Sequence, residues 1–173
     1  MNYFVTGLPR SRTAWLSVFL SRGQFCFHEG FDGCHSIEAY KQKLGPDNGD
    51  CNTGLMLMDV EKEFPDAPIV IIHRDPTHSI EYMYKTFGIY NKGYVDYLCE
   101  RLQELKGLHI EFDEIDDRLE DIWNYVLDVP FDHEWANNMK KMDIQLKDPF
   151  GFDQDALAQL WECLKPMGDK LCL

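Results

Sequence analysis

The sequence predicts a three-layer α/β/α fold around a mainly parallel sheet, and three observations carry that prediction. Strand-like and helix-like stretches alternate along the chain, as they do where helices cross between parallel strands. Ala67-Pro68-Ile69-Val70-Ile71-Ile72-His73 is apolar and β-branched without alternation, the pattern of a strand covered on both faces. At the start, Asn2-Tyr3-Phe4-Val5-Thr6 is a short β-rich run that gives way at Gly7 to a loop and then to an apolar helix. A chain of 173 residues, 45% hydrophobic and 13% aromatic, suits one packed domain spanning 1–173 and argues against disorder.

Taken in order, the first helix is expected over 13–22. Gln24-Phe25-Cys26-Phe27-His28 follows as a compact apolar second strand, and 29–33 reads as a loop. Ser36 is a candidate cap for a helix that stops at Gly45-Pro46. Asp47-Asn48-Gly49-Asp50 reads as a turn, and Thr53 to Phe64 as one helix. The central strand closes at His73, and Pro76 fits the first turn of a helix to about Phe87. A helix over Tyr94–Leu105, a last strand over Leu108–Phe112, and helices over 118–127, 132–142 and 155–164 complete the expectation.

The formal net charge is −13, and the acidity is concentrated after residue 90, where 19 acidic residues face 9 basic ones. Such a field opposes non-specific binding to nucleic acid or to anionic membranes. An anionic ligand must then be held by local donors. No apolar run has the length of a membrane span and no signal peptide is visible, so the expectation is a cytoplasmic protein. The six cysteines include no Cys-x-x-Cys pair, which fits a reducing compartment. Cys26, His28, Cys34 and His35 match no standard zinc-finger spacing.

The chemistry starts at Gly7-Leu8-Pro9-Arg10-Ser11-Arg12-Thr13-Ala14-Trp15. A strand, a glycine-initiated loop and a helix N-terminus together present backbone N–H groups to an anion. Arg10 and Arg12 add fixed positive charge. The loop departs from the nucleoside-triphosphatase pattern, in which Gly, four residues and then Gly-Lys-Ser/Thr are needed. Those last three positions hold Arg12, Thr13 and Ala14. Neither the phosphate-binding lysine nor the hydroxyl that ligates magnesium is there, which speaks against an ordinary ATPase or kinase.

Pro9-Arg10-Ser11-Arg12-Thr13-Ala14-Trp15 resembles the 5′-phosphosulfate-binding loop of sulfotransferases, Pro-Lys/Arg-Ser-Gly-Thr-Thr-Trp, with Arg12 and Ala14 as departures. Arg74-Asp75-Pro76 through Tyr82 is similar to the family's 3′-phosphate segment, Arg-x-Pro-x-Asp-x-x-x-Ser. Arg74 and Pro76 match, His78 replaces the Asp, and Tyr82 stands where the serine belongs, with Ser79 one turn earlier as a substitute. The resemblance implies a P-loop fold and sulfuryl transfer from 3′-phosphoadenosine 5′-phosphosulfate to a hydroxyl or amine without a metal. The acceptor would be a small molecule, glycan or peptide. Gly7, Pro9, Arg10, Ser11, Arg12, Thr13, Ala14, Trp15, Arg74, Ser79 and Tyr82 would bind the donor, with Arg10 also meeting charge on the leaving oxygen.

Transfer to a hydroxyl requires a base. Family members use a histidine or glutamate lining the cleft, and compact ones place a glutamate after the second strand, where Glu29 falls. Glu29 is the first choice and His28 the second, and residues 30–52 are the acceptor-side candidates. Bland readings stand beside these: His28 as an inward-facing core residue, Glu29 as a loop acid, Arg74 as half of a surface ion pair, and Trp15 as a core residue instead of a platform for adenine. Phe112-Asp113-Glu114-Ile115 and Pro130-Phe131-Asp132 also resemble family segments, as structural matches. The family's C-terminal Arg-Lys-Gly element has no counterpart; Lys140-Lys141 or Lys147 either compensates or lies on a solvated face. Two alternatives stay open, a nucleotide or nucleoside kinase of this fold and a non-catalytic nucleotide-binding or scaffold protein.

Overall fold

In the computed structural model, which describes residues 1–87, 92–142 and 144, five parallel strands form one sheet in the order β2-β3-β1-β4-β5. The strands are β1 (Tyr3–Gly7), β2 (Cys26–His28), β3 (Gly49–Cys51), β4 (Ile69–His73) and β5 (Leu108–Glu111). The helices are α1 (Thr13–Ser21), α2 (Ile37–Leu44), α3 (Val60–Glu63), α4 (Pro76–Phe87), α5 (Lys92–Glu104), α6 (Leu119–Val126) and α7 (His133–Met139). The helix expected over 155–164, and Lys147, lie outside the described residues.

Alternate residues of the central strands feed two separate cores. Tyr3, Val5, Val70, Ile72 and Ile110 pack under α1, α6 and α7. Phe4, Ile69 and Ile71 pack under α2, α3 and α5. That is the three-layer arrangement, and it explains why β4 reads as unbroken apolar sequence. On the first face Phe19 stacks on Trp15 and meets Trp123 edge-on, each at 5.4 Å between centroids. Each buried indole there donates to a carbonyl: Trp15 to Met139 and Met142, Trp123 to Val129, Trp135 to Phe19.

Two stretches differ from expectation. Residues 47–50 were expected to form a turn, yet Gly49-Asp50-Cys51 is a strand between β1 and β2. Glycine and aspartate are poor strand formers, so the segment carries no β signal. Glycine is required for packing: a Cβ at position 49 would lie 2.1 Å from the Tyr3 ring. Residues 53–64 are not one helix but a 3-10 turn at Leu55–Leu57 followed by the single turn of α3. The Asn52 side chain accepts from Gly54 N, and Asp59 leaves the helical region at ψ 63°.

Candidate functional site

Because all five strands run the same way, their carboxyl ends share one edge of the sheet, where ligands of open α/β folds bind. Three sequence clusters meet there. The loop after β1 is central. Gly7 lets it fold back tightly, since a Cβ would come 2.8 Å from the Ile72 carbonyl and 3.0 Å from Ser11 Cβ. Arg10 and Arg12 both take left-handed backbone, at φ 74° and 59°. Arg12 stands at the N-cap of α1, where the resemblance expects glycine. No side chain caps α1 and no acid lies in its first turn, so its N–H groups and positive dipole end are left for an anion.

The loop is tied to β4 and α4 on one side. Arg74 Nη1 donates to the Arg10 carbonyl, and Ser79 Oγ donates to the Pro9 carbonyl at 2.7 Å. The Arg74 guanidinium lies over Phe112, 4.1 Å from its centroid, and Arg10 lies 5.1 Å from the Tyr82 centroid. Burial and the Arg10 charge both lower the Arg74 pKa, so the two arginines feel one another. Among the described residues, the buried side-chain polar atoms without a partner are Thr6 Oγ1, Ser11 Oγ and Arg74 Nε. All three belong to this loop and its neighbours. Unspent hydrogen-bonding capacity concentrated in one place fits a site for an anionic ester.

On the other side the loop meets the ends of β2 and β3. Thr13 Oγ1 is 3.4 Å from His28 Nε2, which is 3.7 Å from Glu29 Oε1. Glu29 takes left-handed backbone at φ 52°, and its N–H is held by the Cys51 carbonyl. Burial pushes its carboxyl up to about 7; hydrogen bonds from Thr53 pull the other way, and the Asp32 and Asp50 charges push further up. Burial lowers the His28 pKa, with the Asp32 charge pulling the other way. The Glu29 side chain keeps 24% of its surface exposed, so the carboxyl is desolvated yet reachable.

Several predicted site residues are engaged in structural contacts. The Trp15 indole is buried, stacks on Phe19, and lies 4.2 Å below the Arg12 guanidinium, so a base stacking there would have to displace that arginine. Arg12 is also paired to Asp116 at 2.9 Å. Ser79 is fully buried and braces the loop. Lys140 and Lys141 are exposed at the end of α7. Pro9 and Ala14 are partly buried, Pro9 lending its carbonyl to Ser79.

Sequence reasoning missed the contribution of β3. Asp50 is fully buried and accepts from Gly30 N at 2.9 Å, Tyr40 Oη at 2.6 Å and Asn52 Nδ2 at 3.1 Å. Three residues on, Thr53 donates from N and Oγ1 to Glu29 Oε1 at 3.2 and 3.0 Å. Once 47–50 reads as a turn, nothing in the sequence brings these residues beside Glu29. Phe112 as the platform for Arg74 was visible only as part of a structural match. Among the described residues no group of three or more His, Cys, Asp or Glu is arranged to hold a metal ion, and no helix is long and apolar enough to cross a membrane.

No protein-family model matches the sequence, and no curated protein matches it. Solved structures do. The crystal structure of mouse sulfotransferase SULT7A1 complexed with PAP superposes with a TM-score of 0.51 at 16% identity, over 86% of this chain and 69% of that one. A gluconokinase from Sinorhizobium meliloti 1021 superposes with a TM-score of 0.40 at 12% identity, over 98% of this chain and 97% of that one. At 16% identity the likeness to the sulfotransferase is one of fold alone, an α/β architecture with a mainly parallel sheet.

Proposed function

We propose that the protein is a sulfotransferase-like transferase that moves a sulfuryl group from 3′-phosphoadenosine 5′-phosphosulfate to an acceptor hydroxyl or amine. The observation that carries this reading is that one loop touches both clusters. Its Pro9 and Arg10 carbonyls hold Ser79 and Arg74, while its Thr13 hydroxyl meets His28 beside Glu29. The fold shared with a sulfotransferase seen in complex with PAP supports the choice of donor. So does a loop whose residue 14 is alanine, which offers no hydroxyl to magnesium.

In this reading the uncapped N-terminus of α1, with Ser11, Thr13 and Arg10, holds the 5′-phosphosulfate. Arg74, backed by Phe112, faces the 3′-phosphate, with Tyr82 beside Arg10. Ser79 and Trp15 act as supports for the loop. The donor supplies a sulfur electrophile with a good leaving group. An acceptor oxygen forms its bond to sulfur as the bond to the 5′-phosphate oxygen breaks, and the acceptor proton passes to Glu29. A carboxyl near 7 is matched to that task, because a base titrating at working pH is strong while about half of it stays ionised. Arg10 meets the negative charge gathering on the departing phosphate oxygen.

Thermal-shift titration of the full chain tests the reading. At about 100 times its dissociation constant a ligand adds about 2.7 kcal/mol of stability, or roughly 5–10 °C for a chain this size. PAP without metal is expected to give such a shift, and Arg10→Ala to remove most of it. Stabilisation by ATP with magnesium but not by PAP would favour a kinase, and stabilisation by neither a scaffold.

A further inference from the structure

The carboxylate of Glu29 is held asymmetrically. Every hydrogen bond and ion-pair contact that it makes among the described residues ends on Oε1: Thr53 N at 3.2 Å, Thr53 Oγ1 at 3.0 Å and His28 Nε2 at 3.7 Å. Both Thr53 donors come from the residue where β3 leaves the sheet, and that exit is itself anchored. Asn52 N donates to the Val5 carbonyl, and the Asn52 side chain is bound to both Asp50 and Gly54. From the opposite direction Asp50 grips Gly30 N, the residue after Glu29. The backbone of Glu29 is thus pinned from β3 on both sides, by Cys51 O on its own N–H and by Asp50 on the next one.

We propose that Thr53 is the positioning residue for Glu29, holding Oε1 with two donors so that Oε2 is the oxygen that takes the acceptor's proton. The inference rests on Glu29 being the base and deepens that reading by assigning separate tasks to its two oxygens. With one oxygen fixed by two donors, the carboxylate plane is set before the acceptor arrives. Both Thr53 donors favour the charged form and so oppose the effect of burial. Without them the carboxyl would stay protonated over more of the neutral range and would offer less base.

The other charged and titratable groups around Glu29 are His28 from β2, Asp32 from the following loop, Asp50 and the Cys51 thiol from β3, and Lys43 of α2, whose Nζ binds the Asp32 carbonyl. None of them donates a hydrogen bond to the Glu29 carboxylate, so replacing Thr53 leaves these charges in place and changes the clamp alone.

The test is a carbon-13 NMR titration of the Glu29 carboxyl in the full chain, assigned by its loss in Glu29→Gln, for wild type, Thr53→Val and Thr53→Ser. PAP affinity is measured alongside. Thr53→Val removes one donor to the charged form and is expected to raise the Glu29 pKa by about one unit, while Thr53→Ser restores it. PAP affinity should stay within about twofold, because the Thr53 side chain spends its hydrogen bond on Glu29 Oε1 and not on the loop arginines. If Thr53→Val fails to fold, Thr53→Ala makes the same comparison. A Glu29 titration that does not move when the hydroxyl is removed overturns the proposal. A wild type that shows the Thr53 effect but does not bind PAP overturns the sulfuryl-transfer reading instead, so the two failures are separable.

Discussion

Left-handed backbone costs an ordinary residue about 1–2 kcal/mol, and Arg10, Arg12 and Glu29 all adopt it within the site. Strain gathered in this way persists only where surrounding contacts hold it, and it commonly marks functional positions. Glu29 adds a desolvated carboxyl to its strained backbone, and that has a measurable consequence. Its pKa is about 7 in the folded chain against an ordinary 4.5. Below about pH 4.5 both folded and unfolded states are protonated and the full stability is present. As pH rises through 4.5 the unfolded state ionises first, so stability is lost until about pH 7, by at most about 3 kcal/mol. His28 works in the opposite sense, since its lowered pKa makes the folded state lose stability as pH falls. Comparing wild type with Glu29→Gln by urea unfolding isolates the glutamate. The gap between them should shift by up to about 3 kcal/mol against wild type from pH 4 to pH 8, and parallel curves would contradict the assignment. None of this strain was legible in the sequence. A glutamate after a strand shows neither its φ nor its burial, both of which come from Cys51, Asp50 and Thr53 about twenty residues away.

Among the elements, β3 decides how the β2 end of the site is built. It supplies the carbonyl for Glu29 N, the carboxylate for Gly30 N and, just past its end, the clamp on Oε1. Its own formation depends on Gly49, which lies against the fully buried Tyr3 ring. Gly49→Ala forces either the ring or the strand to move. It should cost about 3 kcal/mol in denaturant unfolding, at the upper end for overpacking. A near-neutral result would mean that β3 is not packed on β1 as described. The loop depends similarly on α4. Ser79→Ala removes the brace on the Pro9 carbonyl at an expected cost of about 1 kcal/mol, and should weaken PAP binding without shifting the Glu29 titration. A loss of PAP affinity equal to that of Arg10→Ala would mean that Ser79 contacts the ligand directly. The elements read correctly from sequence were those with long apolar runs or a clear cap, such as β4, α1 and α2 with Ser36. The short Gly-Asp-Cys strand had no such signal. The stretch from Thr53 to Phe64 read as one helix, but its buried Leu55, Met56 and Val60 belong to two separate turns.

At the scale of the whole molecule, parallel strands bring residues from the ends of β1, β2, β3 and β4 to one edge, and the loop after β1 links them. This convergence was legible from the alternation of strands and helices and from polar residues at the strand ends. The identity of the contacts was not, because burial and hydrogen bonding depend on neighbours far apart in sequence. Arg12 shows the limit well. Its charge was legible in the sequence, whereas its ion pair with Asp116, more than a hundred residues away, was not. The central claim is that Arg10 and Arg74 serve one adenosine bisphosphate through one loop. A double-mutant cycle on PAP affinity, measured calorimetrically without metal for Arg10→Ala, Arg74→Ala and the double variant, tests it most directly. Each single change is predicted to weaken binding by tenfold or more. The double should lose less than the product of the two, with a coupling of about 0.5 kcal/mol or more, as expected for groups in one contacting network. Wild-type affinity in both single variants, or no PAP binding by the wild type, would contradict the account.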